Sequence, residues 1–161
     1  MRSVIRLTLV FLSVLSFSSP CKSQATFAEE SLTKIDLREA VFRYMFEHYN
    51  YGPYVKVYCI APERPLPESF LGRFSQVKPH VVWDSECDNS GAMNGVRHKK
   101  TGEAGMRMAI IDIQWIRGDE AMVKVEAFSD GIAANWNSLK VVLNLKENRW
   151  KVVKDKLEGQ S

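Results

Sequence analysis

Leu37, Val41, Tyr44, Met45 and His48 recur at three- and four-residue intervals, the spacing that lines one face of a helix. Thr33, with Asp36 three positions on, reads as a capping box at its start, and Asn50-Tyr51-Gly52-Pro53 as its stop. The pattern predicts a helix over 34–49. The run from Tyr54 to Ile60 is rich in strand formers, whereas three prolines between Ala61 and Pro67 exclude regular structure there. Pro67 suits the first turn of a short helix turning Phe70, Leu71 and Phe74 inward. A short strand follows over 80–84, and the glycine-rich stretch 85–105 reads as a long loop with an interrupted strand.

Beyond it the pattern changes to period two. Strands are expected over 107–116, 120–128, 135–145 and 148–154, with turns at Arg117-Gly118-Asp119 and Lys146-Glu147. Ala121, Val123, Val125 and Ala127 alternate with Met122, Lys124 and Glu126, and Leu139, Val141, Leu143 and Leu145 repeat the alternation. The inward set should include Leu37, Val41, Met45, Ile111, Ile113, Val123, Val125, Val141, Leu143 and Trp150. The turn accounts for the adhesion-like tripeptide Arg117-Gly118-Asp119 without an adhesive role.

The N-terminal pattern is of another kind. Arg2 and Arg6 precede an apolar run from Leu7 to Phe17, and Ser23-Gln24-Ala25 puts small residues where a signal peptidase reads. The run is shorter than the roughly 20 residues of a membrane span. We read residues 1–25 as a signal peptide cleaved after Ala25, residues 26–32 as a loose lead-in, and 33–161 as one domain, exported to a periplasm or secreted. Acylation at Cys21 is disfavoured by Pro20 and Ser18.

Export changes the charge. Three of the 22 basic residues (Arg2, Arg6 and Lys22) and none of the 19 acidic ones lie in the leader, leaving 19 of each. A neutral domain without a basic stripe gives no support to nucleic-acid binding. The leader also removes one of three cysteines. Cys59 and Cys87 then read as one disulfide in an oxidising compartment, with two buried thiols as the alternative. Neither has a neighbour at zinc-binding Cys-x-x-Cys spacing, and neither a metal nor a cofactor is expected.

A helix, a strand, a short helix and a run of antiparallel strands make an α+β domain with both helices on one face of a curved sheet. The closing hairpin Leu143-Asn-Leu-Lys-Glu-Asn-Arg-Trp-Lys-Val-Val153, together with this element order over roughly 33–156, resembles the nuclear transport factor 2-like (cystatin-like) superfamily. The resemblance implies a cone whose interior holds small molecules or carries acid–base chemistry; the glycine-rich stretch departs from it.

The residues themselves carry no strong catalytic motif. Asp112, within Met108-Ala-Ile-Ile-Asp-Ile-Gln-Trp115, would be a general base if desolvated, and a solvent-facing carboxylate otherwise. His48 lies on the helix face as a core or rim histidine. His80 and Asp84 are expected to share a strand face roughly 13 Å apart. His98 is assigned to a solvated basic loop, so the three histidines read as scattered. Tyr44, Trp83, Gln114 and Trp115 are the candidates for lining a pocket. The first expectation is a non-catalytic domain binding a small molecule or a protein, with the sheet face available for a homodimer. The second is a small lyase-, isomerase- or hydrolase-type enzyme using Asp112 with His80 or His48.

Overall fold

The computed structural model describes residues 23–49, 52–89, 95–129 and 134–160, with side chains in the helix from Thr33 onward. Residues 1–22 of the expected leader (1–25), with Cys21, lie outside them, and its last three residues open the first helix. Helix α1 (Ser23–His48) is followed by strands β1 (Val57–Ala61), β2 (His80–Trp83), β3 (Cys87–Asp88), β4 (Val96–His98), β5 (Ala104–Arg117), β6 (Glu120–Phe128), β7 (Ala134–Asn144) and β8 (Arg149–Gln160). A 3₁₀ helix (Glu68–Phe74) lies between β1 and β2, and a single 3₁₀ turn (Asp84–Glu86) between β2 and β3. The fold is α+β, with an open, mostly antiparallel sheet in the order β2-β1-β5-β6-β7-β8.

α1 begins earlier than its apparent cap. Residues 26–32 contain no glycine or proline and several good helix formers, so the expected lead-in is helical backbone. Asp36 is therefore not a cap residue; it pairs with Arg73 of the 3₁₀ helix at 2.7 Å. Leu37, Val41, Phe42, Met45 and Phe46 are buried against the sheet. Phe70 and Phe74 reach up from the 3₁₀ helix to make edge-on contacts with Phe42, at centroid distances of 6.3 and 6.4 Å. Phe46 stacks on Tyr58 of β1 at 4.9 Å. One helix stripe thus meets both the sheet and the proline-rich connection. Arg38, 3% exposed, closes that layer through an ion pair with Glu63 and a 2.6 Å bond to the Lys34 carbonyl.

The expected all-antiparallel sheet is corrected at its first edge. β1 runs parallel to both β2 and β5. Its Val57-Tyr58-Cys59-Ile60 run is buried on both faces, as a parallel strand covered from two sides requires. Tyr58 and Ile60 join the main core under α1, while Val57 and Cys59 join a second cluster with Val82, Cys87 and Val96 on the outer face. There β3 and β4 fold back as an antiparallel pair, so the expected loop carries two short strands. Cys59 and Cys87 form the disulfide, with Cα atoms 6.3 Å apart.

β6 alternates as read, with Ala121, Val123, Val125 and Ala127 buried. β5 does not. Met106, Met108 and Ile110 face α1, the register shifts between Ile110 and Asp112, and Ile113 and Trp115 then resume the inward side. Ile111 is the extra residue of that bulge and is 51% exposed, which corrects its assignment to the core. Ile113 and Leu143 are half-buried and packed on the core.

Candidate functional site

The C-terminal end of α1 brings polar groups over the helix-facing side of β7 and β8. Asp155 of β8 lies opposite Leu139 and presents its carboxylate to this side. Its Oδ2 accepts the Tyr44 hydroxyl at 3.1 Å and the Tyr49 hydroxyl at 2.8 Å; its Oδ1 accepts the Asn137 side-chain NH₂ at 2.5 Å. Asn137 is 7% exposed, and its own Oδ1 has no hydrogen-bond partner among the described residues. Burial raises the Tyr44 phenol above its ordinary value of 10, and the neighbouring Asp155 charge and hydrogen bond push the same way. His48 stacks on the Tyr44 ring at 3.9 Å, and its Nδ1 sits 2.9 Å from the Tyr44 carbonyl.

Half-exposed Leu157 pairs with Asn137 and continues the same face. Along the second half of α1, a groove of about 700 Å³ runs between the helix and the start of β8, with Glu39, Arg43 and Tyr44 on one wall and Arg149, Trp150 and Lys151 on the other. Tyr44 belongs to both. The cluster is held by a carboxylate that accepts three hydrogen bonds and by a phenol kept protonated, an arrangement suited to positioning a ligand rather than to moving a proton.

The remaining candidates do not gather there. Asp112 is exposed opposite Lys124, on the face turned away from α1, and Gln114 is exposed beside it in the pair with Met122. His48 is on α1, so the sheet separates it from Asp112. Trp115 meets Trp150 edge-on at 5.7 Å and packs on the main core. Trp83 stacks on Phe70 at 6.2 Å and donates its indole N–H to Glu68 at 2.8 Å. Asp84 leaves the strand for the 3₁₀ turn and joins Arg107 (3.1 Å), which also holds Glu126 (3.2 Å). His80 is drawn instead to His98, 6.0 Å away between ring centroids, and His98 is buried; the histidines are not all scattered, and His98 is not in a solvated loop.

No protein-family model matches the chain, and no curated protein and no solved structure is found to be similar to it.

Asp155, Tyr49 and Asn137 escape a reading of the sequence. A second bulge explains the first. The β7–β8 register shifts so that Val153 is extra, which turns Asp155, still exposed to solvent, to the α1 side of the sheet within the solvated Lys154-Asp155-Lys156 run. A carboxylate flanked by lysines gives no signal of that inversion. Asn137, between Trp136 and Ser138 on an alternating strand, does fall on the parity of buried Leu139 and Val141, and that was a usable clue.

Proposed function

We propose that the chain is an exported, non-catalytic binding domain of nuclear transport factor 2-like architecture, holding a small polar ligand on β7 and β8 beyond the end of α1. The observation that carries this reading is the unpaired Oδ1 of Asn137. That oxygen is enclosed, so the roughly 1–3 kcal/mol an unpaired buried acceptor costs is recovered by a ligand N–H or O–H that displaces the exposed Leu157 side chain paired with Asn137. Leu157 offers an apolar wall beside it, and the Asp155 charge favours a neutral or cationic ligand. The disulfide and the leader pattern support export. No helix among the described residues is long and apolar enough to cross a membrane. The enzyme reading loses ground because Asp112 and His48 lie on opposite sides of the sheet, while Asp112 follows Ala104 by roughly 25 Å of strand rise from the end that holds His80 and His98.

A thermal-shift screen of small amides, alcohols and amines tests it. Hits should lose at least tenfold in affinity with Asn137→Leu, its circular dichroism checked against the parent, and should keep it with Asp112→Asn. Hits indifferent to Asn137→Leu would refute the placement. Loss of a turnover in Asp112→Asn at unchanged stability would establish the enzyme instead.

A further inference from the structure

We propose that His80, His98 and Glu103 form a site for one divalent transition-metal ion, with Zn²⁺ the best match to its chemistry. The three come from separate segments. His80 opens β2, His98 closes β4 opposite Cys87, and Glu103 stands in the turn before β5. One ligand atom from each lies within 4.8 Å of the other two.

The protons settle which histidine atom is offered. Thr101 Oγ1 lies 2.8 Å from the Glu103 carboxylate and 2.9 Å from His98 Nδ1. An ionised carboxylate only accepts, so the single hydroxyl proton of Thr101 goes to Glu103. His98 Nδ1 must then be the donor to Thr101, which leaves the lone pair of the neutral ring on Nε2. This is how an outer hydrogen bond fixes a metal-binding imidazole. His98 is 7% exposed and cannot swing away, and the turn is tied by Gly102 N–H to the His98 carbonyl (2.8 Å) and His98 N–H to the Glu103 carbonyl (3.0 Å).

Ligand atoms in a tetrahedral zinc site stand about 3.4 Å apart, given bonds of about 2.0–2.1 Å. His80 is an exposed side chain, and Glu103 keeps a second carboxylate oxygen beside the one that accepts from Thr101, so both can approach the fixed His98 by rotation. Two imidazoles and one carboxylate suit zinc-class ions rather than Ca²⁺ or Mg²⁺, which take oxygen sets. Three protein ligands leave a fourth position open, and His80 also lines a groove of about 810 Å³ together with Pro79 and Lys56. Two of the neighbouring cations are engaged elsewhere, Lys99 on the Ser85 carbonyl (2.8 Å) and Arg97 on that of Gly102 (3.4 Å).

The competing reading is a hydrogen-bonded latch that holds the turn and binds nothing. Calorimetric titration with ZnCl₂ separates the two, using the full chain with its disulfide intact and Cys21→Ser so that no free thiol competes. One Zn²⁺ per chain is expected, with no comparable uptake of Ca²⁺ or Mg²⁺. His80→Ala and Glu103→Gln should each weaken it at least tenfold while the circular dichroism stays that of the parent. Thr101→Val, which removes no ligand, should weaken it by roughly ten- to a hundredfold. Absence of stoichiometric Zn²⁺ uptake, or equal affinity in the parent and His80→Ala, overturns the proposal. A melting temperature lowered by Thr101→Val with no Zn²⁺ bound by the parent assigns the cluster to the latch. None of these readouts involves Asn137, so the site stands or falls apart from the ligand reading above.

Discussion

The Tyr44 hydroxyl and the Asp155 carboxylate are 111 residues apart in the chain and 3.1 Å apart in the fold. The contact fixes the end of α1 over the last strand, and it has a pH signature. Burial chiefly, and Asp155 secondarily, favour the neutral phenol, so its folded pKa lies above the unfolded value near 10. Stability from such a group is complete below the unfolded pKa and is lost as pH rises through the folded one. Ultraviolet titration of the five tyrosines should therefore show late steps from Tyr44 and from Tyr58, whose phenol burial also raises. Tyr44→Phe should remove one late step. Asp155→Asn should bring it only part of the way down, since desolvation remains. A Tyr44 step at the ordinary position would contradict the contact.

The bulge at Ile111 has a counterintuitive consequence for deletions. Removing Ile111 restores plain alternation, with Ile110 inward, Asp112 outward, and Ile113 and Trp115 still inward. That deletion should leave a folded protein. Deleting Met122 from regular β6 should not, because it puts Ala121 and Val123 on opposite faces and sends either Ala121 or Val123 and Val125 outward. Ile111→Thr should alter stability by no more than about 0.5 kcal/mol, and Ile113→Asp should cost several. Urea melts of the four variants check the order; an unfolded Ile111 deletion would mean that the bulge itself is required.

The same bulges mark the boundary of what the sequence makes legible. Where alternation is unbroken the reading holds: β6 occupies the expected 120–128, and Cys59 meets Cys87. It breaks wherever one residue changes the parity, as at Ile111 and Val153, because pattern alone does not reveal which residue a partner strand skips. The parallel pairing of β1 was half-legible in its unbroken apolar run. The candidate sites were the least legible part. Asp155 turns to the helix side through a bulge, and His80 reaches His98 because β3 and β4 fold back over the outer face of β1 and β2, a relation set by tertiary packing and not by spacing.

Arg38 and Glu63 offer a test of how α1 is anchored to the proline-rich connection. Arg38 is almost wholly enclosed, and Glu63 supplies its partner charge. Removing one member of such a pair leaves an uncompensated buried charge at about 3–5 kcal/mol. Glu63→Ala should fall in the lower part of that range, since Arg38 keeps its bond to the Lys34 carbonyl. Arg38→Met with Glu63→Leu should recover most of the loss. Chemical denaturation of the single and double variants gives the coupling; additive losses would show that the pair is not acting as one unit.

Gly105 and the disulfide are joined through the outer cluster. A Cβ at Gly105 would lie 3.0 Å from Val57 Cγ1, 3.1 Å from Val96 Cγ1 and 3.2 Å from Cys59 Sγ. Those neighbours are held from both sides, Val57 by strand pairing and Cys59 by its bond to Cys87. Gly105→Ala should therefore cost about 1–3 kcal/mol as overpacking. Replacing both cysteines by serine should cost roughly 3.5 kcal/mol, the loop-closure contribution for 28 residues of separation. The combined variant should lose less than the sum, because without the bond the Cys59 position can yield to the added methyl. A double-mutant cycle in urea measures this. Strict additivity would show that the methyl is resisted by the valines alone, and a harmless Gly105→Ala would show that the outer cluster is looser than its distances imply.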